Sequence, residues 1–388
     1  MALSKKSEAG GPLRKELAAL GQIVLVLQGG GALGSYQAGV YQALHDAGIE
    51  PDWVIGTSIG AINAALIAGN APDARLEALR QFWQRVENDQ IFGRPSGPWF
   101  NPLRTLNTMM AGIPNFFSPR PFAFANPHLP LGPDNASYYS TEALRHTLLD
   151  LVDFDRLNEA DVRTTVGAAR VQTADMCYFD SLRDRISVDH IMASGALPPA
   201  FPAVRIDGAL YWDGGIVSNT PVEAVFDDEP RQNSVVFAVH LWNPDGPEPE
   251  TIWQVMNRQK DIQYASRASS HIKRQRQLHR LRHVIQQIAD KVPADAPFAA
   301  DVDALRSYGC ETRIHVLRLL APRLPEEDHT KDIDFSAFGI GERWQAGYDH
   351  TMKTLDLAQW RDPVDPLEGF VLHETMAGEA VHTPAGDA

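Results

Sequence analysis

Two glycine-rich turns, separated by one helix and one strand, constrain this chain more than any other feature. Ile23 to Leu27 is a continuous run of β-branched and leucine residues that ends at Gly29-Gly30-Gly31-Ala32-Leu33-Gly34. Such a run suits a strand buried on both faces of a parallel sheet. Ser35 to Ala47 follows, with Tyr36, Val40, Leu44 and Ala47 near helical spacing and Gly48 as a C-cap. Trp53 to Ile55 forms a second strand running into Gly56-Thr57-Ser58-Ile59-Gly60, and Ala61 to Ala68 a second helix closed by Gly69. This order opens an α/β sheet with a right-handed crossover. Both turns then fall at the carboxyl edge of neighbouring parallel strands, where open α/β sheets bind ligands.

The residues in each turn narrow the chemistry. Glycines in the first let the backbone approach a ligand, and N–H groups at a helix N-terminus suit a negative charge. A phosphate or a developing oxyanion would fit. The second turn has the G-x-S-x-G form of a nucleophile elbow, in which Gly56 and Gly60 allow a tight bend that exposes the Ser58 hydroxyl. A serine that merely caps its helix is the plainer alternative. Side by side, the glycine loop can donate N–H groups to the oxygen of a carbonyl attacked by Ser58. One such donor contributes about 3 kcal/mol in the transition state. A third signal is Trp212-Asp213-Gly214-Gly215, followed by Val217, Asn219 and Pro221. It puts a carboxylate in a tight turn at a strand end, although an ordinary Asp-Gly turn has the same form.

With these three signals in this order, the chain resembles the patatin-like phospholipase family. Ala193 to Pro202 is similar to the family's segment before its Asp-Gly turn, and the resemblance spans roughly residues 22 to 240. It implies a bacterial-type member with a three-layer α/β/α sandwich around a mainly parallel sheet. It also implies lipid acyl hydrolysis by a Ser–Asp dyad, a lipid or acyl-ester substrate, no cofactor and no metal. Ser58 matches the nucleophile and Asp213 the base. Gly29, Gly30, Gly31, Ala32 and Gly34 match the oxyanion loop, Gly56 and Gly60 the elbow, and Gly214 and Gly215 the acid turn. Leu33 stands where many members carry Arg or Lys, so only backbone donors are expected there. A carboxylate with a reference pKa of about 3.9 is a poor base for a serine hydroxyl. Burial that raises this value, together with a preformed oxyanion hole, would answer the difficulty.

Three other readings compete. Gly29-x-Gly31-x-x-Gly34 fits a dinucleotide fingerprint, but the acids about 20 residues on, Glu50 and Asp52, precede the second strand rather than end it. A Ser-His-Asp hydrolase would place its oxyanion loop differently. Moreover His190, His240 and His315 read as ordinary helix or strand residues. A non-catalytic lipid-binding or scaffold protein on the same fold is the third reading.

The rest of the chain sets the boundaries. A leader is expected over 1–20, the catalytic domain over 21–245, a mostly helical C-terminal extension over 246–365 and a disordered tail over 366–388. The net charge of −14 argues against nucleic-acid binding. Peripheral contact with a membrane or lipid surface would need a local patch. Two candidates are the basic stretch from Arg258 to Arg282 and the aromatic-rich Gly93 to Tyr139, with Trp99, Phe100, Phe116, Phe117, Phe122 and Phe124. Their plainer readings are a solvated charged face and an insertion packed on the core. The polar start and the shortness of the apolar runs point to a soluble cytoplasmic protein. Cys177 and Cys310 cannot build a disulfide framework and read as small buried hydrophobes.

Overall fold

The computed structural model describes residues 11–88, 108, 110–159, 161–293, 295–297, 299–324, 327–365, 367–375 and 380–381. Trp99 and Phe100, and with them much of the expected aromatic insertion, lie outside these residues.

The centre is one mixed sheet. Its strands are β1 (Gln22–Leu27), β2 (Trp53–Thr57), β3 (Arg163–Arg170), β4 (Met176–Asp180), β5 (Val204–Ile206), β6 (Ala209–Asp213), β7 (Ser234–His240), β8 (Ile314–Leu320), β9 (Phe370–Thr375) and β10 (Ala380–Val381). Across the sheet they run β10-β9-β8-β7-β1-β2-β3-β6-β5, with β4 also on β3. The block from β9 to β3 is parallel throughout, whereas β4, β5, β6 and β10 pair antiparallel.

Alternation along the strands divides the core between two faces. Ile23, Leu25, Leu27, Val235, Phe237, Val239, Leu317 and Leu319 join the larger cluster. Val24, Val26, Val236, Ala238, Ile314 and Val316 join the smaller, where Val222, Val225, Phe226 and Ile272 cover them. Because both faces are covered, β1 and β7 read as unbroken apolar runs.

Six helices bear on the site and its support: α1 (Pro12–Leu20), α2 (Ser35–Asp46), α3 (Ile59–Ala68), α4 (Val188–Ser194), α5 (Ile252–Lys291) and α6 (Ala337–Leu357). Three boundary expectations change. Residues 12–20 of the leader form α1, whose Leu17 is fully buried. Glu16 holds this helix down by accepting from Trp360 Nε1 at 2.9 Å and from Arg361 at 2.6 and 2.7 Å. Arg361 and Trp360 keep its carboxyl near 2. The C-terminal region is mostly helical, through α5 and α6, but it is also built into the fold, since β8 and β9 extend the central sheet and α6 packs on α2. The tail also contains β9, parallel to β8 from Ile314↔Phe370 onward. Six half-polar residues are too short a signal for a sequence pattern to reveal.

The aromatic insertion divides where it is described, since Phe122 and Phe124 are exposed while others pack on the core. Phe116 and Phe117 are buried, and Phe117 packs on Tyr139 and Phe201 with ring centroids 4.9 and 5.2 Å apart. On α5, Lys260 pairs with Asp332 at 2.6 Å and Arg276 with Glu368 at 2.7 Å. The Arg267 side chain lies outside the description. Cys310 is buried as expected, but Cys177 is only half-buried.

Candidate active site

Ser58 stands at a forced bend between β2 and α3, with φ 57° and ψ −127°. Gly56 and Gly60 make the bend possible by contact rather than by flexibility. A Cβ on Gly56 would sit 2.2 Å from the Gly60 carbonyl oxygen, and one on Gly60 would sit 2.2 Å from that of Leu27. From Trp53 to Gly69 every residue is buried except Ser58. The bend therefore lifts one hydroxyl out of an otherwise closed layer.

Asp213 ends β6, and β3 brings it to the serine. Thr57 pairs with Gly167 of β3, and Asp213 pairs with Ala168, the next residue. The buried Asp213 carboxylate accepts a hydrogen bond from the Gly215 N–H at 2.7 Å, and the Ser58 hydroxyl lies close enough to favour its charged form. Burial pushes its carboxyl up to about 6, against the lowering effect of these two groups. Gly214 packs against the backbone of Gly167.

The glycine loop lies beside this pair, and a Cβ on Gly29 would come within 3.0 Å of Ser58 Cβ. Gly31 has φ +56°, and Gly31–Gly34 forms a 3₁₀ turn leading into α2. The first hydrogen bond of the turn runs from the Leu33 N–H to the Gly30 carbonyl at 3.2 Å. The N–H groups of Gly31 and Ala32 precede it and are the orphan donors of a helix start. The Gly29 N–H is already engaged, donating to the Asn219 carbonyl at 3.2 Å, so Gly29 serves by position and not as an oxyanion donor. Gly34 lies inside the turn, and its carbonyl accepts from Asn63 Nδ2 at 3.0 Å. Leu33 is buried in the larger core cluster.

Four residues that sequence reasoning left without a role support this geometry. Ser194, at the end of α4, accepts the Ser58 N–H at 2.9 Å and donates to the Gly167 carbonyl at 2.6 Å. Asn219 Nδ2 and Trp242 Nε1 both donate to the Gly29 carbonyl, at 3.0 and 2.9 Å. The Gln28 carbonyl accepts from Gln37 at 2.6 Å, while the Gln28 amide donates to Thr220 at 2.7 Å. Ser194 and Asn219 lie in stretches already singled out, whereas Trp242 and Gln28 carry no signal of their own.

Glu50 and Asp52 sit at the other edge of the sheet. Asp52 accepts the N–H of Ile23 at the start of β1, and Glu50 pairs with Arg75 and His45. Neither can reach a ligand on the glycine loop. Among the described residues, no three His, Cys, Asp or Glu side chains are grouped to hold a metal ion, and no helix is long and apolar enough to cross a membrane.

The model of the patatin-like phospholipase family matches residues 25–226, from β1 through both turns and the Asp213 turn. The chain belongs to the patatin-like phospholipase family. A second family model, described as patatin phospholipase, matches residues 262–367 and so covers most of the C-terminal region. This patatin-like chain is 26% identical to the lysophospholipase NTE1 of Yarrowia lipolytica over 227 residues, which are 58% of the chain and 13% of that protein. It is 60% identical to the lysophospholipase nte1 of Aspergillus terreus over 47 residues, which are 12% of the chain and 3% of that protein. The patatin-like chain thus spans a small part of these relatives. VipD from Legionella pneumophila aligns with 87% of the chain and 67% of its own, at 15% identity and a TM-score of 0.39.

Proposed function

We propose that this protein is a lipid acyl hydrolase of the phospholipase A type that works through an acyl-serine intermediate. The observation carrying the proposal is the sheet register that sets Ser58 beside a buried Asp213 carboxyl pushed up to about 6. A base of that strength is about half ionised near pH 6 and remains a carboxylate at neutral pH.

In acylation the Ser58 oxygen attacks the ester carbonyl while its proton passes to Asp213. The N–H groups of Gly30, Gly31 and Ala32 stabilise the oxyanion. The bond to the leaving oxygen then breaks, and Asp213 returns the proton to that oxygen. In deacylation a water takes the alcohol's place, gives its proton to Asp213 and attacks the acyl carbon. Collapse frees the fatty acid and returns the proton to Ser58. Relatives named as lysophospholipases support a glycerophospholipid ester as the substrate class.

The test is labelling with a fluorophosphonate, followed by peptide mass mapping, alongside hydrolysis of p-nitrophenyl esters and of lysophosphatidylcholine. Label on Ser58, with turnover lost in Ser58→Ala and Asp213→Ala while circular dichroism is unchanged, is the expected result. Turnover that survives Ser58→Ala would end the proposal.

A further inference from the structure

The Gly29 carbonyl is held by two side chains, Asn219 and Trp242. A trans peptide is planar, and its C=O and N–H point in opposite directions. Fixing the Gly29 carbonyl therefore fixes the direction of the Gly30 N–H, which is turned away from Asn219 and Trp242. The Gly29 N–H, tied to Asn219, secures the preceding peptide as well.

Trp242 is buried, and the C-terminal region holds it. Its ring packs on Tyr264 of α5, with centroids 4.8 Å apart. Lys331 Nζ lies 5.3 Å from the ring centroid and pairs with Asp261 at 2.6 Å, both side chains being almost fully buried. The next residue, Asp332, backs the loop from the same side. Its carbonyl oxygen lies 2.2 Å from where a Gly31 Cβ would be, and its carboxylate accepts from Lys260. None of Tyr264, Lys331 and Asp332 takes part in the dyad chemistry.

We infer that Trp242 is a positioning residue for hydrolysis, its indole N–H holding the Gly29 carbonyl so that the Gly30 N–H meets the developing oxyanion, and that the C-terminal region acts on the site by holding Trp242. This rests on the Ser58 chemistry proposed above. Loss of the indole N–H lets the Gly29–Gly30 peptide rock. That weakens a contact made in the transition state more than one made to bound ester.

Two replacements test it. Trp242→Phe keeps an aromatic ring and deletes the N–H. Site-specific incorporation of 3-benzothienylalanine at position 242 keeps the bicyclic shape and puts sulfur where the N–H was, so it carries the test if Trp242→Phe does not fold. With p-nitrophenyl butyrate, kcat should fall about tenfold while KM stays within about twofold. Affinity for a trifluoromethyl ketone, which forms an oxyanion on Ser58, should fall in step with kcat. A kcat and ketone affinity within about twofold of wild type in the folded benzothienyl protein would overturn the inference. So would a fall in kcat that leaves ketone affinity unchanged. Wild-type activity that persists in Ser58→Ala would instead overturn the underlying reading, so the two failures are distinguishable.

Discussion

Asp213 reaches Ser58 because one strand positions both. β3 pairs with Thr57 at Gly167 and with Asp213 at Ala168, so the serine turn and the acid turn meet at consecutive residues of the same backbone. Ser194 reinforces the arrangement by linking the Ser58 N–H to the Gly167 carbonyl. The proposed dyad would therefore be a consequence of sheet register, and its raised carboxyl follows from the burial that this register imposes.

The carboxyl at about 6 makes a joint prediction for rate and stability. Turnover needs the carboxylate, so kcat/KM should rise with pH and reach half its plateau near pH 6. In stability the sign is opposite. The unfolded chain ionises at the ordinary value of 3.8 and the folded protein only at about 6. Stability therefore falls as pH rises between these values, by about 3 kcal/mol at most, and is level above. Asp213→Asn removes that cost while keeping an acceptor for Gly215. It should be inactive, melt at or above wild type at pH 8, and lose this advantage by pH 4. Melting curves at the two pH values check it, and a variant less stable than wild type at pH 8 would contradict the burial argument.

The backbone at Ser58 is strained. A residue with a Cβ at φ 57° and ψ −127° stores about 1–3 kcal/mol. Ser58→Ala and Ser58→Gly both remove the nucleophile, but only glycine relieves the bend. Ser58→Gly should be the more stable of the two in urea unfolding, by about 1 kcal/mol.

Ser194→Ala leaves the Ser58 N–H and the Gly167 carbonyl without their shared partner. A loss of about 1–3 kcal/mol in urea unfolding is expected. Fluorophosphonate labelling of Ser58 should also slow, because the elbow is no longer tied to β3. Unchanged labelling would mean that the bend holds its shape without Ser194.

Gly60→Ala tests the closeness of α3 to β1. The added Cβ would lie 2.2 Å from the Leu27 carbonyl oxygen and 2.7 Å from its carbon, both backbone atoms that cannot move aside alone. The variant should fail to fold, measured as lost soluble yield and lost helical circular dichroism. A native melting temperature would show that the layers are farther apart.

Legibility varied with the range of the interaction. Ile23 to Leu27 and Val235 to Leu241 announce buried strands because adjacent residues face apolar layers on both sides. The two glycine turns announce themselves because their function is carried by neighbours in sequence. The helix over 12–20 was hidden, since its hold depends on Trp360 and Arg361 from the far end of the chain. β9 was hidden because half of its pattern is polar and its pairing partner is remote. Trp242 gave no sign, because an indole N–H acquires a role only when a particular carbonyl stands opposite it.

The sequence by itself determined the first two strands with their glycine turns, the sharp bend at Ser58 and the presence of an acid at the end of β6. These follow from local sterics and from the burial pattern of short segments. Only the tertiary structure decided that Asp213 lies in a dry setting beside Ser58, that the Gly29 N–H is engaged by Asn219 while its carbonyl is held, and that the C-terminal region braces the glycine loop. Those outcomes depend on burial and on hydrogen-bond direction between segments far apart in the chain, and neither quantity exists until the sheet has closed.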